Sequence, residues 1–139
     1  MLDIKSEKAE ALGLLVLRLG VGGMMLTHGW PKFQRLLETP GQFADPIGLG
    51  PEITLGLAVF AELFCALLIV AGAWTRLVTI PLVATMLVAV FIVHSDDPFQ
   101  KRELALLYAS GALTLMLTGA GRFSVDCYLA DRKRQANDG

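Results

Sequence analysis

Charged residues are scarce in this chain and nearly absent from most of its length. They make up 18% of 139 residues, while 54% are hydrophobic and the mean hydropathy is +0.56; ordinary soluble domains carry about 25% charged residues. Four windows hold two charged residues between them: 12–30, 53–74, 77–94 and 104–121. Each is close to the ~20 residues that cross a bilayer core. Together they leave no room for a separate soluble domain.

Several other features are missing, and each absence excludes a class of function. The net charge of −1 lacks the basic excess that nucleic-acid binding needs. Cys65 and Cys127 lie far apart with no C-x-x-C, so we expect neither a disulfide nor a thiol redox pair. No haem attachment motif, nucleotide-binding loop or metal-ligand spacing occurs, and no metal site is predicted. The first window is followed by no A-x-A cleavage site, so it is not predicted to be a signal peptide.

What remains is an apolar chain that predicts an all-α integral membrane protein. Backbone groups in lipid must be satisfied within each segment, so the four windows should be helices. Short connections make consecutive helices antiparallel neighbours, which predicts one domain over residues 1–139, an antiparallel four-helix bundle with short tails. Pro31 is expected to end the first helix. The KFQRLLE segment after it has amphipathic spacing and is expected to lie in the membrane interface.

The distribution of Lys and Arg predicts the orientation. With four spans, the side that holds both termini carries seven of these residues, and the opposite side carries four. Because cytoplasmic loops are enriched in Lys and Arg, both termini are predicted to be cytoplasmic. The seven are Lys5, Lys8, Arg76, Arg122, Arg132, Lys133 and Arg134; the four are Lys32, Arg35, Lys101 and Arg102.

Two charged residues lie inside predicted spans. Glu62 falls near the middle of the second window, where an acidic residue costs about 2.5–3.5 kcal/mol on insertion scales. It therefore needs a partner, and Arg18 on the adjacent helix is the only basic residue inside a span. We predict an Arg18–Glu62 contact, direct or through water, which either fixes the helix register or lines a functional site. The alternative for Arg18 is that it extends to the cytoplasmic head groups.

The two histidines end the first and third windows. Both of these helices run outward, so His28 and His94 are expected at similar depth, with Glu103 opening the fourth helix beside them. Such a cluster at the outer mouth could bind a metal, relay protons or hydrogen-bond a quinone carbonyl. The spacing is diagnostic of none of these. The alternative is a pair of histidines that merely cap their helices at the interface.

The segments that carry these residues resemble the DoxX family. LRLGVGGMMLTHGWPKF, AELFCALLIVAGAWTRL, PLVATMLVAVFIVH and GAGRFSVD follow one another from residue 17 to residue 126. The family pattern falls on Arg18, Gly20, His28, Gly29, Lys32, Phe33, Glu62, Gly72, Arg76 and His94. One departure is visible, because relatives often have paired glycines where this chain reads Phe64-Cys65-Ala66. Close helix packing at that point is therefore in question.

The resemblance implies a bacterial inner-membrane protein associated with redox complexes. Similar proteins are linked to quinol oxidase, to thiosulfate:quinone oxidoreductase, to oxidative-stress complexes or to chaperone-like roles. One hypothesis is an accessory subunit of a membrane redox complex, in which a bound quinone or a partner oxidoreductase carries the electrons. The alternative is a non-catalytic assembly factor or small-molecule carrier. Catalysis by this chain alone is not expected; its partners are the lipid bilayer and an oxidoreductase subunit or a second copy.

Overall fold

The computed structural model describes residues 4–137, and this part of the chain is helical with no strand. The prediction of an all-α fold is therefore confirmed. The five helices are α1 (Ile4–Glu38), α2 (Pro51–Ala71), α3 (Thr75–Val93), α4 (Phe99–Thr118) and α5 (Val125–Asn137). A short 3₁₀ turn, Pro40–Gln42, lies in the linker between α1 and α2. Helix α5 occupies the segment that the sequence predicts to be a short tail.

Helix α1 continues through Pro31 to Glu38, so the prediction that Pro31 ends it is wrong. KFQRLLE is the last part of this helix and not a separate interfacial one. Proline removes the hydrogen bond to the carbonyl of Thr27, four residues earlier. Thr27 and Pro31 are both exposed, so the break lies on the outer side of the helix. On the inner side, Phe33 and Leu36 pack against Leu55, Val59 and Leu63 of α2, which stabilises the extension.

The helices pack in a closed ring of neighbours. Helix α1 contacts α2, α2 contacts α3, α3 contacts α4, and α4 returns to α1. The core between them is formed by apolar side chains from all four helices, among them Met25, Ile69, Leu82, Ala112 and Leu115. Van der Waals contact between these closely packed side chains holds the helices together.

The outward faces of the helices are strongly apolar. In the described chain, three helices are long and apolar enough to cross a membrane: α1, α2 and α3. Helix α4 is not among them, although Leu104, Leu107, Leu113 and Leu117 are exposed along it. At 35 residues α1 is about 52 Å long, well beyond a hydrocarbon core of about 30 Å. Apolar surface of this extent marks a membrane or protein contact.

Helices α1 and α2 approach closely despite the missing glycine pair. A Cβ on Gly22 would lie 2.9 Å from the carbonyl oxygen of Ala66 and 2.8 Å from the Val70 side chain. Ala66 and Cys65 are themselves buried. Glycine on α1 therefore provides the close contact that the departure on α2 had put in question.

Two helices change their winding partway along. The stretch Phe60–Cys65 of α2 and the stretch Ala89–Val93 of α3 are π-helical. A π-helical turn holds an extra residue and often occurs at functional sites. Both stretches border one cavity, which lies beside α2 and α3.

Candidate functional site

A cavity of about 630 Å³ lies between the ends of α1, α2 and α3 and the α1–α2 linker. Its walls are mainly apolar, including Phe43, Leu57, Phe60, Ala84 and Val88. The charged or titratable side chains that line it are Lys32, Glu62 and His94. A cavity of this size with few polar groups is typical of small-molecule sites. Leu57, Phe60 and Ala84 are exposed on the outer side, so the cavity faces the apolar exterior between α2 and α3.

Glu62 and Lys32 form the central ion pair of the cavity. The Lys32 ammonium lies 2.5 Å from each carboxylate oxygen of Glu62. The Glu62 side chain is 3% exposed and that of Lys32 is 31% exposed. A carboxylate so removed from water needs an opposite charge, and Lys32 provides it. The sequence predicts Lys32 outside the membrane because it follows Pro31, and it therefore does not predict this pair.

Lys32 reaches Glu62 because α1 presents one narrow face to α2. Arg18, Gly22, Met25, Gly29 and Lys32 recur at intervals of four and three residues, so they share this face. A Cβ on Gly29 would lie 2.5 Å from the Glu62 carbonyl oxygen and 2.8 Å from the Leu63 nitrogen. The glycine thus seats α1 on the backbone of Glu62, and the lysine one turn later meets its side chain.

We expect Gly29→Ala to disrupt this seat. The added methyl group cannot fit against rigid main chain, so α1 must move away from α2, and overpacking of this kind costs about 1–3 kcal/mol. Thermal unfolding in detergent measures the effect. Gly23→Ala is the matched control, because a Cβ there meets nothing within 4 Å in the same helix. Equal unfolding midpoints for the two variants would contradict the proposed close contact.

The π-helical segments bring the remaining side chains to the cavity. Glu62 lies within the segment of α2, and His94 follows directly after the segment of α3, where its N–H donates to the Ala89 carbonyl at 2.9 Å. His94 Nδ1 lies 2.7 Å from a carboxylate oxygen of Asp97. This hydrogen bond, and then one from Lys101 at 3.2 Å, lowers the pKa of the Asp97 carboxyl. The second ring nitrogen of His94, Nε2, is left for a ligand.

The linker that covers one side of the cavity is held by Asp45. Its carboxylate accepts hydrogen bonds from the N–H groups of Leu49 and Gly50 and, at 2.7 Å, from the hydroxyl of Thr54 on α2. The Thr54 hydrogen bond is the main cause that lowers the pKa of the Asp45 carboxyl. Phe43, Ala44, Pro46 and Ile47, on either side of Asp45, line the cavity. The sequence alone does not predict these hydrogen bonds in the linker.

The Asp45–Thr54 hydrogen bond predicts a pH-dependent contribution to stability. Because folding lowers the pKa of Asp45 from 3.8, its stabilisation is fully present above pH 3.8 and is lost as the pH falls through the lower folded value. Thr54→Val should therefore lower the unfolding midpoint at pH 7, with a difference from wild type that shrinks below pH 3.8. Thr85→Val is the control, since that hydroxyl donates to the Pro81 carbonyl and no carboxylate. A difference independent of pH would overturn the role given to Asp45.

The predicted contact between Arg18 and Glu62, direct or through water, is wrong. Arg18 is 2% exposed, and its guanidinium donates to four main-chain carbonyls, those of Ile69, Val70, Ala120 and Phe123, at 2.7–3.1 Å. Two of these oxygens belong to the C-terminal end of α2, where the helix dipole favours a cation. Along α1, Arg18 and Lys32 are about 21 Å apart. The alternative that Arg18 extends to head groups does not hold either.

Gly72 makes room for this arginine. It adopts a φ of +72°, and a Cβ there would lie 2.8 Å from the Arg18 guanidinium carbon. The Gly72 carbonyl accepts a hydrogen bond from the Asp126 N–H at 2.9 Å. Arg76, in the first turn of α3, remains exposed and borders Gly119. These motif positions build the junction of α2, α3 and α5 rather than the cavity.

The predicted outer cluster of His28, His94 and Glu103 does not form as one group. His28 is exposed and meets the Tyr108 ring edge-on, with 5.7 Å between ring centroids, while His94 pairs with Asp97. Glu103 is exposed on α4. Within residues 4–137, no group of three or more His, Cys, Asp or Glu side chains is placed to hold a metal ion. Spacing along the sequence could not show which neighbour each of these side chains meets.

These features define an all-helical protein with apolar outer faces and a partly buried Lys–Glu ion pair in an apolar cavity. A model of the DoxX family matches residues 13–95, and the chain belongs to this family. The match includes Lys32, Glu62 and His94, whereas α5 lies beyond it.

Curated relatives match nearly the whole chain. "Putative oxidoreductase CatD" of Bacillus subtilis is 30% identical over 132 residues, 94% of this chain and 97% of the relative. "Inner membrane protein YqjF" of Escherichia coli is 29% identical over 124 residues, 86% of this chain and 94% of the relative. An uncharacterized protein of Haemophilus influenzae is 31% identical over 127 residues, 86% of this chain and 92% of the relative. No solved structure matches the chain significantly.

Proposed function

We propose that this protein spans the bacterial inner membrane four times as one domain and binds a quinone as an accessory subunit of a membrane redox complex. The observation that carries the proposal is the Lys32–Glu62 ion pair, with Glu62 buried, in an apolar cavity that faces the exterior of the helices. The name of the E. coli relative supports the inner membrane, and that of the B. subtilis relative supports a redox role. Both termini face the cytoplasm in this proposal, on the Lys and Arg distribution.

Helix α4 is the fourth span in this proposal. Its first turns carry Lys101, Arg102 and Glu103, which lower its overall hydropathy, but residues 104–118 are uncharged. This part is about 22 Å long, and the exposed leucines along it suit contact with lipid. Its inner face, with Tyr108, Ala109, Ala112 and Leu115, is buried against the other helices. A helix so packed shares the environment of its neighbours.

The access route favours a ligand that comes from the bilayer. Exposed Leu57, Phe60 and Ala84 border the cavity on the outward surface of α2 and α3, which would face lipid tails. A polar metabolite would lose its hydration on that route, whereas a prenylated quinone would not. Its apolar tail can remain between lipids while its ring enters the cavity.

The polar groups of the cavity suit the head of a quinone. Lys32 has N–H groups that can donate to a quinone carbonyl. His94, whose Nδ1 side pairs with Asp97, keeps Nε2 to accept from or donate to the opposite oxygen. Thr54 and Thr85 already donate to Asp45 and to the Pro81 carbonyl. The chain supplies no electron carrier of its own in this proposal, so electrons pass between the quinone and a partner oxidoreductase.

Quinone extraction from the purified protein tests this proposal. We expect the wild type to retain quinone, and Ala84→Phe, which fills the cavity without touching the ion pair, to retain about tenfold less. Ala71→Phe is the matched control, because Ala71 is exposed on α2 and does not line the cavity. If wild type carried none and took up none from added quinone, the proposal would fail. Recovery of phospholipid alone would instead favour a non-catalytic carrier.

A further inference from the structure

Helix α5 has an apolar face that nothing in residues 4–137 covers. Val125, Tyr128 and Leu129 are 40%, 59% and 44% exposed, and no residue of α5 is buried. Val125 lies three residues before Tyr128 and four before Leu129, so all three are on one side of the helix. A helix that folds with such a face open to water would gain from covering it.

Basic side chains lie on and beside this apolar face. The Arg132 guanidinium lies over the Tyr128 ring, 5.6 Å from its centroid, so the charge sits on the apolar side. Lys133 follows and Arg122 precedes the helix, and both are exposed. Asp126 and Asp131 are the acidic residues of α5, and Asp126 is already engaged by the junction. The combination of apolar and basic side chains suits an anionic surface.

Hydrogen bonds at the junction of α2, α3 and α5 fix the depth, relative to a bilayer, at which α5 begins. The Asp126 carboxylate accepts hydrogen bonds from the N–H groups of Trp74, at 2.7 Å, and Thr75, at 3.0 Å, at the start of α3. Trp74 is 64% exposed, and Phe123 just before α5 is also exposed. Exposed Trp and Tyr at the end of a span are typical of the head-group region. Helix α5 therefore starts where α2 and α3 would leave the bilayer.

We propose that α5 binds along the head groups of anionic phospholipids, with Val125, Tyr128 and Leu129 inserted and with Arg132 and Lys133 paired with phosphate. This rests on the proposed membrane integration, because only then is that surface beside Trp74. The charge favours lipid over a second copy of this chain, whose α5 would carry the same positive residues. Arg132 fits the same arrangement, since its stem can pack on Tyr128 while its charge reaches phosphate.

Spin-label accessibility on the full chain in vesicles tests the proposal. In a Cys65→Ala, Cys127→Ser background, labels are placed at Leu129→Cys and, on the other side of α5, at Arg134→Cys. With equal parts phosphatidylglycerol and phosphatidylcholine, the label at 129 should collide mainly with oxygen and that at 134 mainly with a water-soluble nickel complex. In pure phosphatidylcholine the preference at 129 should weaken, and Arg132→Gln should weaken it about fivefold in the anionic vesicles.

A label at Leu107→Cys separates the two proposals. Leu107 is 66% exposed on α4 and should collide with oxygen whether or not α5 binds lipid. Nickel access at 107 would overturn the membrane integration. Lipid contact at 107 with nickel access at 129 would overturn the role of α5 alone. Protection of 129 from both reagents would overturn it in favour of a protein partner.

Discussion

Replacement of Arg18 by methionine should lower the free energy of unfolding by at least about 3 kcal/mol. The substitution leaves four carbonyl oxygens, at the end of α2 and in the α4–α5 loop, without their shared donor. Each unsatisfied buried polar group costs about 1–3 kcal/mol. Thermal or denaturant unfolding in detergent measures the loss, and the midpoint should fall by about 10 °C.

Two variants give this experiment its controls. Arg35→Met removes the same charge from an exposed position of α1 and should change the midpoint little. Arg18→Lys should be nearly as unstable as Arg18→Met. The lysine ammonium is one compact group, so it cannot reach carbonyls that lie on opposite sides of the planar guanidinium it replaces. Full stability of Arg18→Lys would show that charge alone matters and that the four hydrogen bonds do not.

The second large effect is expected at the cavity. Lys32→Met should destabilise the protein by about 3 kcal/mol, because it leaves Glu62, whose side chain is 3% exposed, without its counter-charge. Glu62→Gln should cost less, since the amide oxygen can still accept a hydrogen bond from Lys32. Unfolding in detergent, measured on the two single variants and on the double variant, gives the coupling energy.

The double variant is the decisive member of this set. With Lys32→Met and Glu62→Gln together, no buried charge is left unpaired, so the double variant should be more stable than Lys32→Met alone. Arg18→Gln combined with Glu62→Gln should show additive effects, since these residues share no partner. A measured coupling energy between Arg18 and Glu62 would indicate that the two residues interact, contrary to the hydrogen bonds that Arg18 makes.

Hydrophobic windows predicted where helices form but not where they end. Long apolar segments specify helices on their own, which is why an all-α chain could be read from the sequence. The end of α1 depended on a tertiary contact, since Phe33 and Leu36 pack on α2 and outweigh Pro31. A local rule about proline cannot include that contact.

The candidate site could be predicted from the sequence only in part, because the partner of Glu62 depends on where α1 ends. The sequence shows that Glu62 needs a cation. Arg18 is the basic residue inside a predicted span, whereas Lys32 is predicted to lie outside the spans. Main-chain carbonyls at the end of α2 satisfy Arg18, and Lys32 became available only because α1 is long. The four-three spacing from Arg18 to Lys32 is visible in the sequence and was the signal that could have identified the pair. The π-helical segments have no such signal.

The π-helical winding at Phe60–Cys65 means that the direction of Glu62 depends on the number of residues before it and not only on its identity. A π turn arises when one residue is added to an α-helix without shifting either end. Removal of any other residue of this segment would restore regular winding with both flanking parts of α2 in place, and the side chains inside the segment, Glu62 among them, would then point in different directions around the helix axis. The charged pair could thus be lost, or first acquired, through a single codon deletion or insertion that leaves both charged residues in the chain. Among homologous chains, a gap of one residue in this segment would then matter as much as the replacement of Glu62 itself.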